Sequence, residues 1–229
     1  MKNLFAAIAI CAIIPSFFGQ DATAYDLANF DQLIVIGNFP VEIINSDRKE
    51  AIVDKKDSKA NLDNLSFSYS QKVLTIKYSG SFVEDVGVSL KLYHTGLIST
   101  VEARRGAQIK INDAGTFYST VSYKADSGGK LTIDDVISPL VKAQVTKGGS
   151  ISITGETPIF EPNIKTGGTI AAVRLKSKEV NAYITFGGEI ICAPIEILNA
   201  NVTSGGTINY TGNPKLTEKI TLGGTIEKI

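Results

Sequence analysis

The residues that could carry out chemistry are few. The chain holds one histidine, His94, and two cysteines, Cys11 and Cys192. A Ser-His-Asp or Cys-His nucleophile needs a histidine beside it, and a catalytic zinc needs about three protein ligands. With Cys11 inside an apolar N-terminal run, a lone histidine and a lone mature cysteine give little support to a Ser-His-Asp, Cys-His or His-rich zinc site. No GxxxxGK[ST] and no HExxH occurs. Carboxylates are the remaining candidates, since polysaccharide lyases and hydrolases use clustered acids, calcium ligands or a catalytic Arg or Lys on one exposed sheet. Asp134, Asp135, Glu156, Glu161, Glu179 and Glu189 are available, but they fall at different phases of the repeat they sit in. They are expected as solvated surface charge. No catalytic, cofactor-binding or metal-binding residue is assigned.

What must position any site is a repeat marked by glycine pairs: Gly128-Gly129, Gly148-Gly149, Gly167-Gly168, Gly187-Gly188, Gly205-Gly206 and Gly223-Gly224. Counted from the second glycine, the intervals are 20, 19, 20, 18 and 18 residues. Gly106 stands 23 residues before Gly129 and reads as an earlier, degenerate member. A period of this size signals a repeat architecture.

The columns around the marks alternate. Two residues after each stand Leu131, Ile151, Ile170, Ile190, Ile208 and Ile226; four before stand Ala125, Val145, Ile164, Ile184, Val202 and Ile220. The column one after and the column three before hold no apolar residue. At 43% apolar content, one all-apolar column of six arises by chance about once in 160 alignments. A flexible linker has no such phase. Alternation in twos is strand period. The chain is therefore expected to be all-β, a β-solenoid with Gly-Gly corners every 18–23 residues and isoleucine stacked on isoleucine between coils. The corners ask for positive φ, which glycine adopts without a Cβ clash, and stacked corners leave little room for side chains. Cys192 falls in an inward column with Ile133, Ile153, Ala172 and Tyr210, as a small buried hydrophobe. Glu218 and Lys228 occupy inward columns of the last coil, as expected of a terminal repeat that blocks further stacking.

Residues 30–101 lack the marks but alternate like strands, as in LIVIGNFPVEI, VLTIKY and VGVSLKLY. They are expected to form opening coils or a cap of the same domain, residues 25–229, with regular coils over 102–229. Before them lies Lys2, an apolar run from Leu4 to Phe18 broken by Pro15, and Ala22-Thr23-Ala24. That is the pattern of a secretory signal peptide over residues 1–24, cut after Ala24 or, alternatively, after Gln20. The apolar run is shorter than the roughly 20 residues of a spanning helix. No second apolar span follows, so no membrane anchor is visible. Export is expected, to periplasm, cell surface or medium. With Cys11 removed, Cys192 has no internal disulfide partner, so stability must come from the core. Removing Lys2 and Asp21 takes the charges from 23 and 23 to 22 and 22. Such neutrality gives no reason to expect nucleic acid or an anionic membrane as partner.

VIGNFPVEI, VLTIKY, VGVSLKLYHTGLISTVEARRGAQIKI and the repeated Gly-Gly-x-Ile units, GGTIN at 205–209 above all, resemble the putative auto-transporter adhesin, head GIN domain family (DUF2807) over about residues 30–229. The resemblance implies a right-handed, pectin-lyase-like parallel β-helix in an exported bacterial protein and a role in adhesion; it implies no catalytic residue. The leading expectation is a non-enzymatic surface for an unknown protein or glycan at a cell surface, with a homo-oligomer open. Binding is expected to spread over neighbouring coils, with no single side chain, Tyr183 included, indispensable. The alternative is a carbohydrate-active β-helix enzyme. The Thr146, Thr185, Thr203, Thr221 column, interrupted by Asp126 and Lys165, is too broken to read as an ice-binding array.

Overall fold

The computed structural model describes residues 16–18, 22–56, 60–80 and 86–229. The expected leader, residues 1–24, lies largely outside them. In chain order the described strands are β1 (Ser16–Phe18), β2 (Ala22–Asp26), β3 (Gln32–Ile36), β4 (Pro40–Asn45), β5 (Glu50–Lys55), β6 (Leu65–Ser70), β7 (Val73–Tyr78) and β8 (Val88–His94). There follow β9 (Thr100–Arg104), β10 (Gln108–Ile111), β11 (Gly115–Thr116), β12 (Val121–Asp126), β13 (Lys130–Ile137) and β14 (Leu140–Thr146). The last are β15 (Ser150–Thr166), β16 (Thr169–Phe186), β17 (Glu189–Ser204), β18 (Thr207–Tyr210), β19 (Lys215–Ile220) and β20 (Thr225–Lys228).

These strands wind into a β-solenoid of about six turns. Two columns of parallel strands face each other across the core. One stacks the strands that precede each corner: β7, β3, β9, β12, β14, the second halves of β15, β16 and β17, then β19. The other stacks those that follow it: β8, β4, β10, β13, the first halves of β15, β16 and β17, then β18 and β20. Period-2 alternation places the apolar set inside. In β12, Val121, Tyr123 and Ala125 are buried while Ser122, Lys124 and Asp126 face out.

The register bears out both apolar columns. Leu131, Ile151, Ile170, Ile190, Ile208 and Ile226 are successive rungs of one ladder. Ala125, Val145, Ile164, Ile184, Val202 and Ile220 are rungs of the other. From Leu131 to Ile208 the first column is at most 1% exposed. Each buried isoleucine contributes roughly 1.5–3 kcal/mol, which offsets the entropy of the glycine corners.

The two glycines of a pair have different reasons. Gly205 has φ +68 and open space where a Cβ would stand, so its requirement is conformational. Gly149 lacks the positive φ, but a Cβ there would lie 2.6 Å from the Ala125 carbonyl of the coil below. Corners differ along the stack: at Ser127-Gly128 and Lys147-Gly148 the left-handed pair is shifted one residue earlier than at Gly205-Gly206. Gly106 belongs to this earlier phase. Gln108 pairs with Lys130, so Gly106 aligns with Gly128, the first glycine, and Ala107 stands at the second position. That coil is therefore 22 residues from Gly106 to Gly128. Longer coils take up their extra residues on the third, narrow side. Between β16 and β17 the offset is 20 at Ala172/Cys192 and 17 at Ser177/Pro194, leaving Val173 half exposed.

The N-terminal third departs from chain order. β3 lies between β7 and β9, and β4 between β8 and β10, so the later coil β7–β8 is inserted beneath the earlier one. Antiparallel strands then cover that end: β6 on β7, β5 on β8, β2 on β5 and β1 on β2; β1 and residues 22–24 of β2 fall within the expected leader, so a cut after Ala24 would remove them from this cap. A parallel edge would otherwise offer free amides and carbonyls to another chain. At the opposite end Glu218 stacks on Ala200 and Lys228 on Tyr210, and every residue of β19 is exposed.

Candidate functional site

The residues with chemical potential are dispersed. His94 ends β8, 5% exposed, with Nε2 2.9 Å from the Phe30 carbonyl and its ring 4.2 Å from that of Phe30. Burial lowers its pKa, the hydrogen bond to Phe30 opposing. The space beside it measures about 20 Å³, room for one water. Cys192 is fully buried on the Ala172–Tyr210 rung, and burial pushes its thiol up to about 12. A thiol so placed is no nucleophile at neutral pH.

Four of the six candidate carboxylates are taken up locally. Glu156 pairs with Lys176 at 2.8 Å and Glu161 with Lys142 at 2.9 Å. Glu179 accepts from Asn181 and Glu189 from Asn209, both at 2.9 Å. Asp135 sits at a left-handed turn of β13, φ 58. Among the described residues no three His, Cys, Asp or Glu side chains converge as a metal site. Of the candidate acids, Glu161 and Glu179 alone come onto neighbouring rungs of one outer face, and each has its own partner.

Two clefts lie on the outer faces of the parallel columns. One, about 620 Å³, runs over β4, β8 and β10 and carries Lys91, Lys110, Lys130 and Lys56. Glu42 stands in register between Lys91 and Lys110 and accepts from Asn112 at 2.8 Å, so its cationic character is divided.

The other, about 640 Å³, lies across β12, β14, β15 and β16. One ladder of outward residues crosses it: Lys124, Gln144, Asn163 and Tyr183, continuing to Asn201. Tyr183 is 45% exposed. Beside this ladder stand Lys142 and Glu161, mutually paired, and Asn181, whose amide donates to Glu179 and accepts from Asn199 at 2.8 Å. The Asn163 Oδ1 receives no donor.

The floor of this cleft contains Pro162, in the middle of β15. Proline is normally confined to sheet edges and bulges because it has no amide to donate. The ladder with β14 is continuous through Pro162, which requires Glu161 and Asn163 to bond toward β14 and position 162 to face β16. The β15–β16 ladder lapses at the rungs of Glu161 and Pro162 and resumes at Asn163/Tyr183. The bond lost is the one that an amide at 162 would donate to the Asn181 carbonyl. Sequence reading named Tyr183 but overlooked Pro162, although a proline inside a run that otherwise reads as a central strand was the available signal.

Residues 29–214 match the model of the family described as "Putative auto-transporter adhesin, head GIN domain" (DUF2807), and the chain belongs to that family. None of the curated proteins matches it. Among solved structures it is similar to a putative adhesin from Bacteroides fragilis, with TM-score 0.77, 18% identity, and 91% of this chain and 96% of that one covered. A putative adhesin from Parabacteroides merdae gives TM-score 0.66 and 18% identity, covering 91% and 95%. A protein from Parabacteroides distasonis named a putative lipid binding protein gives 0.67 and 16%, covering 91% and 96%. At these identities the likeness is one of fold. No helix among the described residues is long and apolar enough to cross a membrane, which says nothing of strands.

Proposed function

We propose that the chain is an exported, non-enzymatic solenoid that presents its outer strand faces for adhesion at a cell surface. The observation that carries this is the pairing of four of the candidate carboxylates, Glu156, Glu161, Glu179 and Glu189, each with its own lysine or asparagine. Acid–base or calcium-assisted cleavage needs two or more acids facing one bond. Flat, polar faces on a stiff stack suit contact with an extended partner. Membership of the adhesin-head family supports the same reading, as does the leader pattern over residues 1–24.

The test is adhesion by the exported chain coupled to beads. Beads should bind envelope preparations or host glycoprotein layers, and free protein should compete them off. Beads that bind no more than bare controls would sink the reading. N-terminal sequencing of protein recovered outside the cytoplasm tests export: a first residue of Tyr25 or Asp21 agrees with it, and an intact Met1 does not.

A further inference from the structure

The cleft over β12–β16 combines three features that polar surface alone does not explain. Tyr183 presents a half-exposed ring between two asparagines, Asn163 and Asn201, one rung away on either side. Asn163 holds a buried amide oxygen without a donor, which a ligand hydroxyl reaches only if the side chain turns toward the cleft. Pro162, at a central-strand position, leaves the Asn181 carbonyl without its ladder donor. Two acceptors beside an aromatic face call for a partner that brings several hydroxyl donors and an apolar C–H face together. A pyranose ring is such a partner. Its axial C–H face packs on an aromatic ring, and its vicinal hydroxyls bond planar amides.

We infer that this cleft binds a neutral hexopyranose unit of an extended glycan, with Tyr183 as platform and Asn163, Gln144 and the Asn181 carbonyl as hydroxyl partners; the inference rests on the adhesion reading above. The ligand is neutral because the cleft's charge is largely spent internally. Lys142 is held by Glu161 at 2.9 Å; Lys124 is the cleft's remaining cation, since Glu102, its neighbour in register, is held by Arg104 at 2.7 Å. The opposite cleft is the poorer candidate, with no aromatic ring among its lining residues and Glu42 between its lysines. Coils repeat about every 4.8 Å, close to the length of one sugar unit, so a chain lying along the stack keeps phase with the rungs. The volume of about 640 Å³ falls within the usual range for small-ligand sites.

The test is titration of the ¹⁵N-labelled exported chain with neutral gluco-, galacto- and manno-configured tetrasaccharides, and with a uronic-acid tetrasaccharide for comparison. At least one neutral series should shift amides of residues 142–144, 161, 163 and 181–183 as a group. Tyr183→Ala should weaken that binding about ten-fold, and Tyr183→Phe should hold it within about two-fold. Pro162→Ala supplies the missing amide, ties up the Asn181 carbonyl, and should weaken binding about three-fold while leaving the fold intact. Thr207→Ala, on the other column, should change nothing. The inference is overturned if no neutral series binds, if shifts gather elsewhere, if Tyr183→Ala binds as well as wild type, or if only the uronic chain binds and salt abolishes it. Bead adhesion that persists under any of those outcomes leaves the adhesion reading standing, whereas loss of bead adhesion by the wild type removes that reading itself.

Discussion

A Cβ placed on Gly206 would stand 2.8 Å from Cγ2 of Ile184, one coil below, and 3.0 Å from the Gly188 carbonyl. Gly206 also has φ +102, well away from the small left-handed pocket that side chains tolerate. Gly205 next to it has φ +68 and open space. Gly206→Val is therefore expected to lower stability by strain of about 1–3 kcal/mol plus the displacement of Ile184. Gly205→Asn, whose side chain accepts left-handed backbone, should cost less than about 1 kcal/mol. Chemical denaturation of both variants checks this. Equal midpoints would show that the two glycines are interchangeable and the steric account wrong.

This division of labour was only half legible in the sequence. The period, the inward isoleucines and the strand alternation could be read because six copies fix a phase that one copy cannot. Gly106 misled by one position because its coil keeps a glycine only where φ demands it and uses Ala107 where space was expected to demand one. The insertion of β7–β8 beneath β3–β4 was not legible. Parallel and antiparallel neighbours share the same alternation, and nothing local to VLTIKY says which strand it will meet. The cleft escaped for a related reason: Gln144, Asn163 and Tyr183 are about twenty residues apart and meet only through the register.

His94 gives a pH dependence with a definite sign. Burial holds its native pKa below the ordinary 6.5, with Lys49 nearby acting the same way. On acidification the unfolded chain takes up this proton first, so stability falls as pH drops from about 6.5 toward the lower native value. His94→Gln should flatten the melting temperature between pH 7.5 and the low-pH end of that window, whatever it does to stability overall. The measurement is calorimetry in steps of about half a unit, stopping above pH 5, clear of the ordinary carboxylate range. An undiminished slope in the variant would assign the dependence elsewhere.

Cys192 should be chemically silent in the folded protein. Its side chain is buried on a rung between Ala172 and Tyr210, and its thiol is pushed up to about 12. A maleimide or dithiobis reagent should label it only at the rate of unfolding, and added denaturant should bring labelling to completion. Cys192→Ala should lower stability by about 1 kcal/mol, the cost of a small cavity. Rapid stoichiometric labelling in native buffer would mean that this coil opens locally.

The last expectation concerns turnover. Four of the six candidate carboxylates are each bound to a different partner: Glu156 to Lys176, Glu161 to Lys142, Glu179 to Asn181, Glu189 to Asn209. Glu161 and Glu179 stand on one outer face, on neighbouring rungs, but each is held by its own lysine or asparagine, whereas glycoside cleavage uses a general acid and a free carboxylate acting on one bond. Purified protein should release no reducing or unsaturated sugar ends from neutral or acidic polysaccharides, with or without calcium, even where it binds them. Saccharide binding at the Tyr183 cleft and hydrolysis are thus separable by one assay on the same sample. Product release that survives repurification and disappears in Glu161→Gln would move the protein into the enzyme class, because Glu161 is the acid among that cleft's lining residues.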